Sequence, residues 1–143
     1  MPILEFHLAA GHYSDKQVGE LLVAASEGYA RVLQCSIERV RVFAQFYEGR
    51  HVAVAGTLLS EGAKAAPYFH FLVLEGRPIE QCHELLTLFS TLCVEVLGAD
   101  RELVRGGCWP IPPQYWAIAG AAASVTRAGE IAARAQAVTA AGA

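Results

Sequence analysis

Residues 2–12, PILEFHLAAGH, and residues 67–77, PYFHFLVLEGR, share one plan: a proline, an alternating apolar segment, then a glycine followed by a polar residue. Gly11 corresponds to Gly76 and His12 to Arg77, both 65 positions apart. One extra residue in the first copy then lowers the spacing to 64, at which Gln17, Glu20, Leu21 and Leu22 match Gln81, Glu84, Leu85 and Leu86. Farther along, Leu33, Glu38, Val40 and Arg41 match Leu97, Glu102, Val104 and Arg105, and Val54 and Gly56 fall on Ile118 and Gly120. A single spacing kept across so many kinds of segment marks an internal duplication.

Each copy reads as strand, helix, strand. Leu4, Phe6 and Leu8 alternate with Ile3, Glu5 and His7, and Phe69, Phe71 and Val73 alternate with Tyr68, His70 and Leu72, the period of a half-buried strand. Ser14 with Gln17 three residues later is a capping-box pattern, and Val18, Leu21, Leu22, Ala25, Tyr29 and Val32 then make one helical stripe. The second helix places Pro78 in its first turn, carries Ile79, Cys82, Leu86, Phe89, Cys93 and Val96, and stops at Gly98. Residues 39–46 form the next strand, with Arg41 on the face away from the helix. Its counterpart, from Glu102, is expected to be short, because Gly106, Gly107, Pro110, Pro112 and Pro113 interrupt a ladder.

The predicted class is α/β, more strictly α+β: two fused β-α-β units in one four-stranded sheet covered by two helices. Residues 1–120 form one domain of two repeats, 2–60 and 67–120, joined by the linker 61–66. The Ala-rich tail, 121–143, has no counterpart in the first copy; it is either a helix holding Arg127, Glu130 and Arg134 or disordered.

Composition narrows the function. A net charge of −3, with Lys16 and Lys64 the only lysines, offers no field for nucleic acid. Neither a signal peptide nor a membrane-spanning run is visible, so the expected location is cytoplasmic with no membrane partner. Charged residues make up 17% against roughly 25% in typical soluble domains, which leaves apolar surface for an oligomer. Cys35, Cys82, Cys93 and Cys108 have no Cys-x-x-Cys spacing and read as reduced thiols, and the five histidines lack zinc-type spacing. No metal and no cofactor is expected.

The Pro-Ile start, the Glu-Gly-Arg stretch Glu75 to Arg77 and the Val-Arg pairs at Arg41 and Arg105 make residues 2–120 resemble the tautomerase superfamily, in the fused form of 4-oxalocrotonate tautomerase, malonate semialdehyde decarboxylase and cis-3-chloroacrylic acid dehalogenase. The resemblance implies a catalytic Pro2 exposed by removal of Met1. An N-terminal proline is a rigid secondary amine, and its ordinary titration near roughly pH 8 falls with burial or nearby cations. Pro67 holds the same place in the second copy but is an amide and cannot be a base.

The resemblance also implies a small carboxylate substrate bound by Arg77, Arg105 and Arg41, since a guanidinium fork binds a carboxylate and steadies an enolate. His12 replaces that arginine in the first copy and is expected to be either part of the site or a loop residue. Trp116, with His51 nearby, falls at the family's aromatic wall, and Trp109 is a weaker candidate. Gln114, beside Tyr115, stands where dehalogenases and hydratases carry a water-activating glutamate; an amide is no base, which demotes that chemistry. The expected enzyme is therefore a tautomerase, an isomerase acting on a small 2-keto or enol carboxylate as a homotrimer with sites between subunits. The alternatives are a decarboxylase, hydratase or dehalogenase of the same superfamily, and a non-catalytic binding or assembly protein.

Overall fold

Ser14 opens the first helix in both senses of a capping box. Its hydroxyl accepts the Gln17 backbone N–H at 3.1 Å, and Gln17 Oε1 accepts the Ser14 N–H at 3.0 Å, which satisfies two donors that a helix start otherwise leaves bare. The second helix ends on Gly98 at φ 69, whose N–H reaches the carbonyls of Cys93 and Val94. Pro78 is the residue before that helix rather than part of its first turn.

In a computed structural model, residues 2–143 are described. The chain runs β1 (Ile3–Ala9), α1 (Asp15–Leu33), β2 (Arg41–Tyr47) and a hairpin of β3 (Ala53–Val54) with β4 (Thr57–Leu58), then repeats this as β5 (Tyr68–Leu74), α2 (Ile79–Leu97), β6 (Arg105–Ile111) and a hairpin of β7 (Ala117–Ile118) with β8 (Ala121–Ala122). Two helices follow, α3 (Ala123–Thr126) and α4 (Ala128–Ala141). The main sheet has the order β2-β1-β5-β6; its outer pairs are parallel and its central pair antiparallel. None of the described helices is long and apolar enough to cross a membrane.

Helices α1 and α2 cover one face of the sheet. Gln17 near the start of α1 donates to the Val96 carbonyl near the end of α2 at 3.2 Å, so the two run in opposite directions. Leu4, Phe6, Leu8, Phe69, Phe71 and Val73 point beneath them and are at most 3% exposed, which fixes the register, because a one-residue slip would turn the row outward. Phe89 of α2 meets the rings of Phe6, Phe69 and Phe71 edge-on at 5.3 to 6.3 Å. Leu85 and Leu97 join this core, whereas Ile79 lies at the very start of α2 and stays 57% exposed.

The second outer strand corrects the sequence expectation. It is not cut short: β6 passes through Gly106, Gly107 and Pro110 and pairs with β5 from Tyr68 to Leu74. An edge strand has one neighbour, so the missing proline N–H is tolerated. At Gly106 the absence of a side chain is what admits β5, since a Cβ would sit 2.1 Å from the Phe69 ring.

Tyr29 ties the two halves together. Its buried hydroxyl donates to the Leu72 carbonyl and lies 3.4 Å from that of Ile3, the residue opposite Leu72 in the central pair. Burial pushes its pKa well above the ordinary value, so it remains a donor. Tyr29→Phe is expected to cost about 1–2 kcal/mol, read by urea unfolding as a lower midpoint at unchanged slope, because it strands a buried carbonyl without changing packing.

Candidate active site

The antiparallel meeting of β1 and β5 brings the start of one repeat against the end of the other's first strand. Ile3 stands opposite Leu72. Pro2 therefore lies at the end of the sheet where β5 turns through Gly76, at φ 87, into Arg77. Pro2 is buried and lines a cavity of 20 Å³ together with Leu33, Cys35, Val73, Leu74, Arg39, Arg77, Arg127, Glu130 and Arg134. A cleft of 480 Å³ shares Leu33, Cys35, Arg39, Arg77, Glu130 and Arg134 with it and is walled on its outer side by α4. The inner cavity has room for about one water, while the cleft is of ligand size.

The arginines reach this place from three parts of the chain, Arg127 and Arg134 both belonging to the start and body of α4. Arg77 follows β5, and its Nη1 donates to the Leu33 carbonyl at 3.1 Å and to Gln81 Oε1 at 3.2 Å. Burial, and after it the nearby charge of Arg134, lowers its pKa from the ordinary value; a guanidinium nonetheless keeps its charge at any working pH. Arg39 ends the turn after α1 and donates to Glu130 Oε2 at 3.1 Å, while Arg127 donates to Glu130 Oε1 at 3.3 Å. Glu130 thus latches α4 to the body of the protein. Arg134 Nε and Nη2 and Arg127 Nε are buried without an acceptor. Four guanidinium groups against one carboxylate, with donors left bare, form a site that calls for an anion.

Of the residues singled out in the sequence, Pro2 and Arg77 come together here. Arg41 begins β2 beside Pro2 and donates its backbone N–H to the Pro2 carbonyl at 3.0 Å, but its guanidinium folds back onto the carbonyls of Glu38 and Val40 at 2.7 and 3.0 Å. Arg105 makes the equivalent contacts with Glu102 and Val104 at the Pro67 end of the sheet. Seven-residue strands separate the two ends by roughly 23 Å. His12 is also at the Pro67 end, exposed, with Nδ1 3.2 Å from the Ala10 carbonyl. Gln114 and Tyr115 are exposed, and Trp116 accepts the Ala123 N–H on its carbonyl at 2.8 Å. Among the described residues, none of these six lines the Pro2 cavity within one chain.

Arg39 carries no expectation from the sequence, and Arg127 and Arg134 are expected there only as residues of the tail, not of the site. The signal for two of them was present: Arg127, Glu130 and Arg134 follow an i, i+3, i+7 spacing that puts them on one helix face. Arg39 was marked only by its departure from the repeat, since its counterpart 64 residues on is Leu103.

No protein-family profile and no curated protein sequence matches the chain. Solved structures do. The native fused 4-OT structure is 27% identical, with a TM-score of 0.79 over 85% of this chain and 95% of its own. The protein Pt0534, solved after inactivation by 2-oxo-3-pentynoate, is 22% identical, with a TM-score of 0.80 over 87% and 98%. Q0 fused 4-OT, a wild-type symmetric trimer, is 25% identical, with a TM-score of 0.77 over 87% and 98%. The chain thus has the fused 4-OT fold of the tautomerase superfamily.

The latch gives a pH expectation. The hydrogen bond from Arg39, helped by the charges of Arg39, Arg127 and Arg134, holds the Glu130 carboxyl below its ordinary value of 4.5. A carboxylate lowered on folding contributes its stabilisation above the ordinary pKa and loses it as the pH falls through the folded value. Amide-exchange protection of residues 128–141, corrected for intrinsic rates, is expected to be level from neutral pH down to about that value and to drop below it, and Glu130→Gln is expected to show the low-pH protection already at neutral pH.

Proposed function

We propose that this chain is a tautomerase in which the secondary amine of Pro2, freed by removal of Met1, moves a proton between oxygen and carbon of a small 2-keto or enol carboxylate. The observation that carries the reading is the burial of Pro2 in a cavity walled by four arginines. Burial and those charges both favour the neutral amine, the form that accepts a proton. A substrate lying in the cleft has its carboxylate between Arg77 and Arg134, which both line it and the second of which has unpartnered donors, and its reacting carbon at the mouth of the Pro2 cavity. The amine takes the enol proton and returns it to carbon, and the guanidinium field steadies the enolate formed between the two transfers.

A homotrimer goes with this reading. The uncovered sheet face and the outer strands expose Phe43, Phe46, Tyr68 and Trp109, each at least 37% accessible, which is apolar surface for neighbours. Arg41, Arg105, His12, Gln114, Tyr115 and Trp116 act, in this assembly, at the borders between chains. Decarboxylation of a β-keto acid by the same amine is the second enzymatic reading, because the pocket binds the same kind of acid and a secondary amine is also a nucleophile.

Intact mass and activity test the proposal together. The mature protein is expected to lack Met1 and to convert small enol acids to keto acids, followed by ultraviolet absorbance. Pro2→Ala is expected to lower kcat/KM by about 10²–10⁴-fold, and the wild-type profile to rise to a plateau with an apparent pKa below the roughly 8 of an ordinary amine. A retained Met1 in a fully active sample overturns the role of Pro2, and activity that is equal in wild type and Pro2→Ala, at the level of the uncatalysed reaction, favours the binding protein.

A further inference from the structure

The uncovered face of the sheet carries a second polar cluster that shares no residue with the Pro2 cavity. Glu5 and His7 are two apart on β1, and His70 of β5 stands directly opposite Glu5. Strand alternation and cross-strand pairing put all three side chains on one face. Glu5 Oε2 lies 3.7 Å from His7 Nε2 and 3.7 Å from His70 Nε2, and the three donor atoms are all within 4.8 Å of one another.

A chain of hydrogen bonds fixes the tautomer of neutral His7. A carboxylate only accepts, so Gln45 must turn its Nε2 toward Glu5 Oε2, at 3.3 Å. Gln45 Oε1 then accepts the Tyr47 hydroxyl proton at 3.1 Å. Having given that proton, the Tyr47 oxygen accepts from His7 Nδ1–H at 2.6 Å. The lone pair is left on His7 Nε2, which is buried and has no hydrogen-bond partner. Two acceptors, an imidazole nitrogen and a carboxylate oxygen, thus face one point, an unfavourable arrangement unless something positive stands between them.

We propose that Glu5, His7 and His70 bind a divalent first-row transition ion of the Zn²⁺ type, with water or an exogenous ligand completing the shell. Two imidazoles and a carboxylate are the donor set such ions take. Tetrahedral bonds of about 2.0–2.2 Å put donor atoms roughly 3.3–3.5 Å apart, so the two contacts of Glu5, at 3.7 Å, close by a few tenths of an ångström, and the two imidazoles, within 4.8 Å of each other, close by rotation of their rings. Tyr47 orients His7 from outside the shell, as hydroxyl and carboxylate partners of metal-bound histidines do. The Tyr68 ring, 5.2 Å from that of His7, and the Trp109 ring, 5.1 Å from that of His70, wall the cluster.

The untagged full-length protein, stripped with chelator and titrated with Co²⁺, tests this by calorimetry and by visible d–d absorption. One ion per chain with the absorption of a nitrogen-oxygen shell is expected. Glu5→Gln and His70→Ala are expected to weaken binding by about 100-fold or more, and Tyr47→Phe, which keeps all three ligands, by about tenfold. His83→Ala, on the exposed side of α2, is expected to leave it unchanged. Binding by fewer than about one chain in ten, or an affinity that His70→Ala leaves intact, overturns the proposal; the first of these is read on the wild type and does not depend on any variant folding.

Discussion

The pairing of Ile3 with Leu72 does two things at once. It joins two parallel strand pairs into one continuous sheet, and it sets the beginning of the chain against the turn that carries Arg77. The inward row of Leu4, Phe6, Leu8, Phe69, Phe71 and Val73 holds that register, and the Tyr29 hydroxyl, lying by both carbonyls at the junction, pins it from the helical side. Neither half alone has a partner for its own first strand on that edge, so the core and the candidate site arise from the same contact.

Duplication would give two equivalent ends to this sheet, and the chain has made them different. At one end stand Pro2, Arg39 and Arg77. At the other, the corresponding residues are Pro67, Leu103 and His12, and Ala63, Lys64 and Ala65 of the connecting segment line the pocket that forms there. A proline in mid-chain has no basic nitrogen, so the second end had no amine to lose. Arg105 remains there as the counterpart of Arg41, and the carbonyl of the fully buried Pro67 accepts its backbone N–H.

The architecture was readable because it repeats. Alternation gave the inward rows of β1 and β5, the Ser14 capping box gave the start of α1, and Gly98 gave the end of α2. What failed was local chemistry judged without its neighbours. Gly106, Gly107 and Pro110 look like strand breakers until the strand is known to be an edge and the Phe69 ring is known to need the room. Within the site, Pro2 and Arg77 were legible through the repeat, whereas Arg127 and Arg134 lie on a segment without a counterpart, and Arg39 looks like one more solvated cation. The juxtaposition of His7 with His70, 63 residues away, is a product of strand pairing and leaves no spacing signature.

Glu130 gives the arginine cluster an acid of its own. A site of four cations left empty would repel itself and draw salt from the solution, yet here two of the four already share one internal carboxylate. An incoming acid accordingly meets a choice between filling the bare donors of Arg134 and evicting Glu130 from Arg39 and Arg127. On the proposed reading, only the second course would loosen the last helix, and occupancy of the cleft and freedom of the C-terminus would then be two readings of one ion exchange, with the protein itself supplying the competing counter-ion.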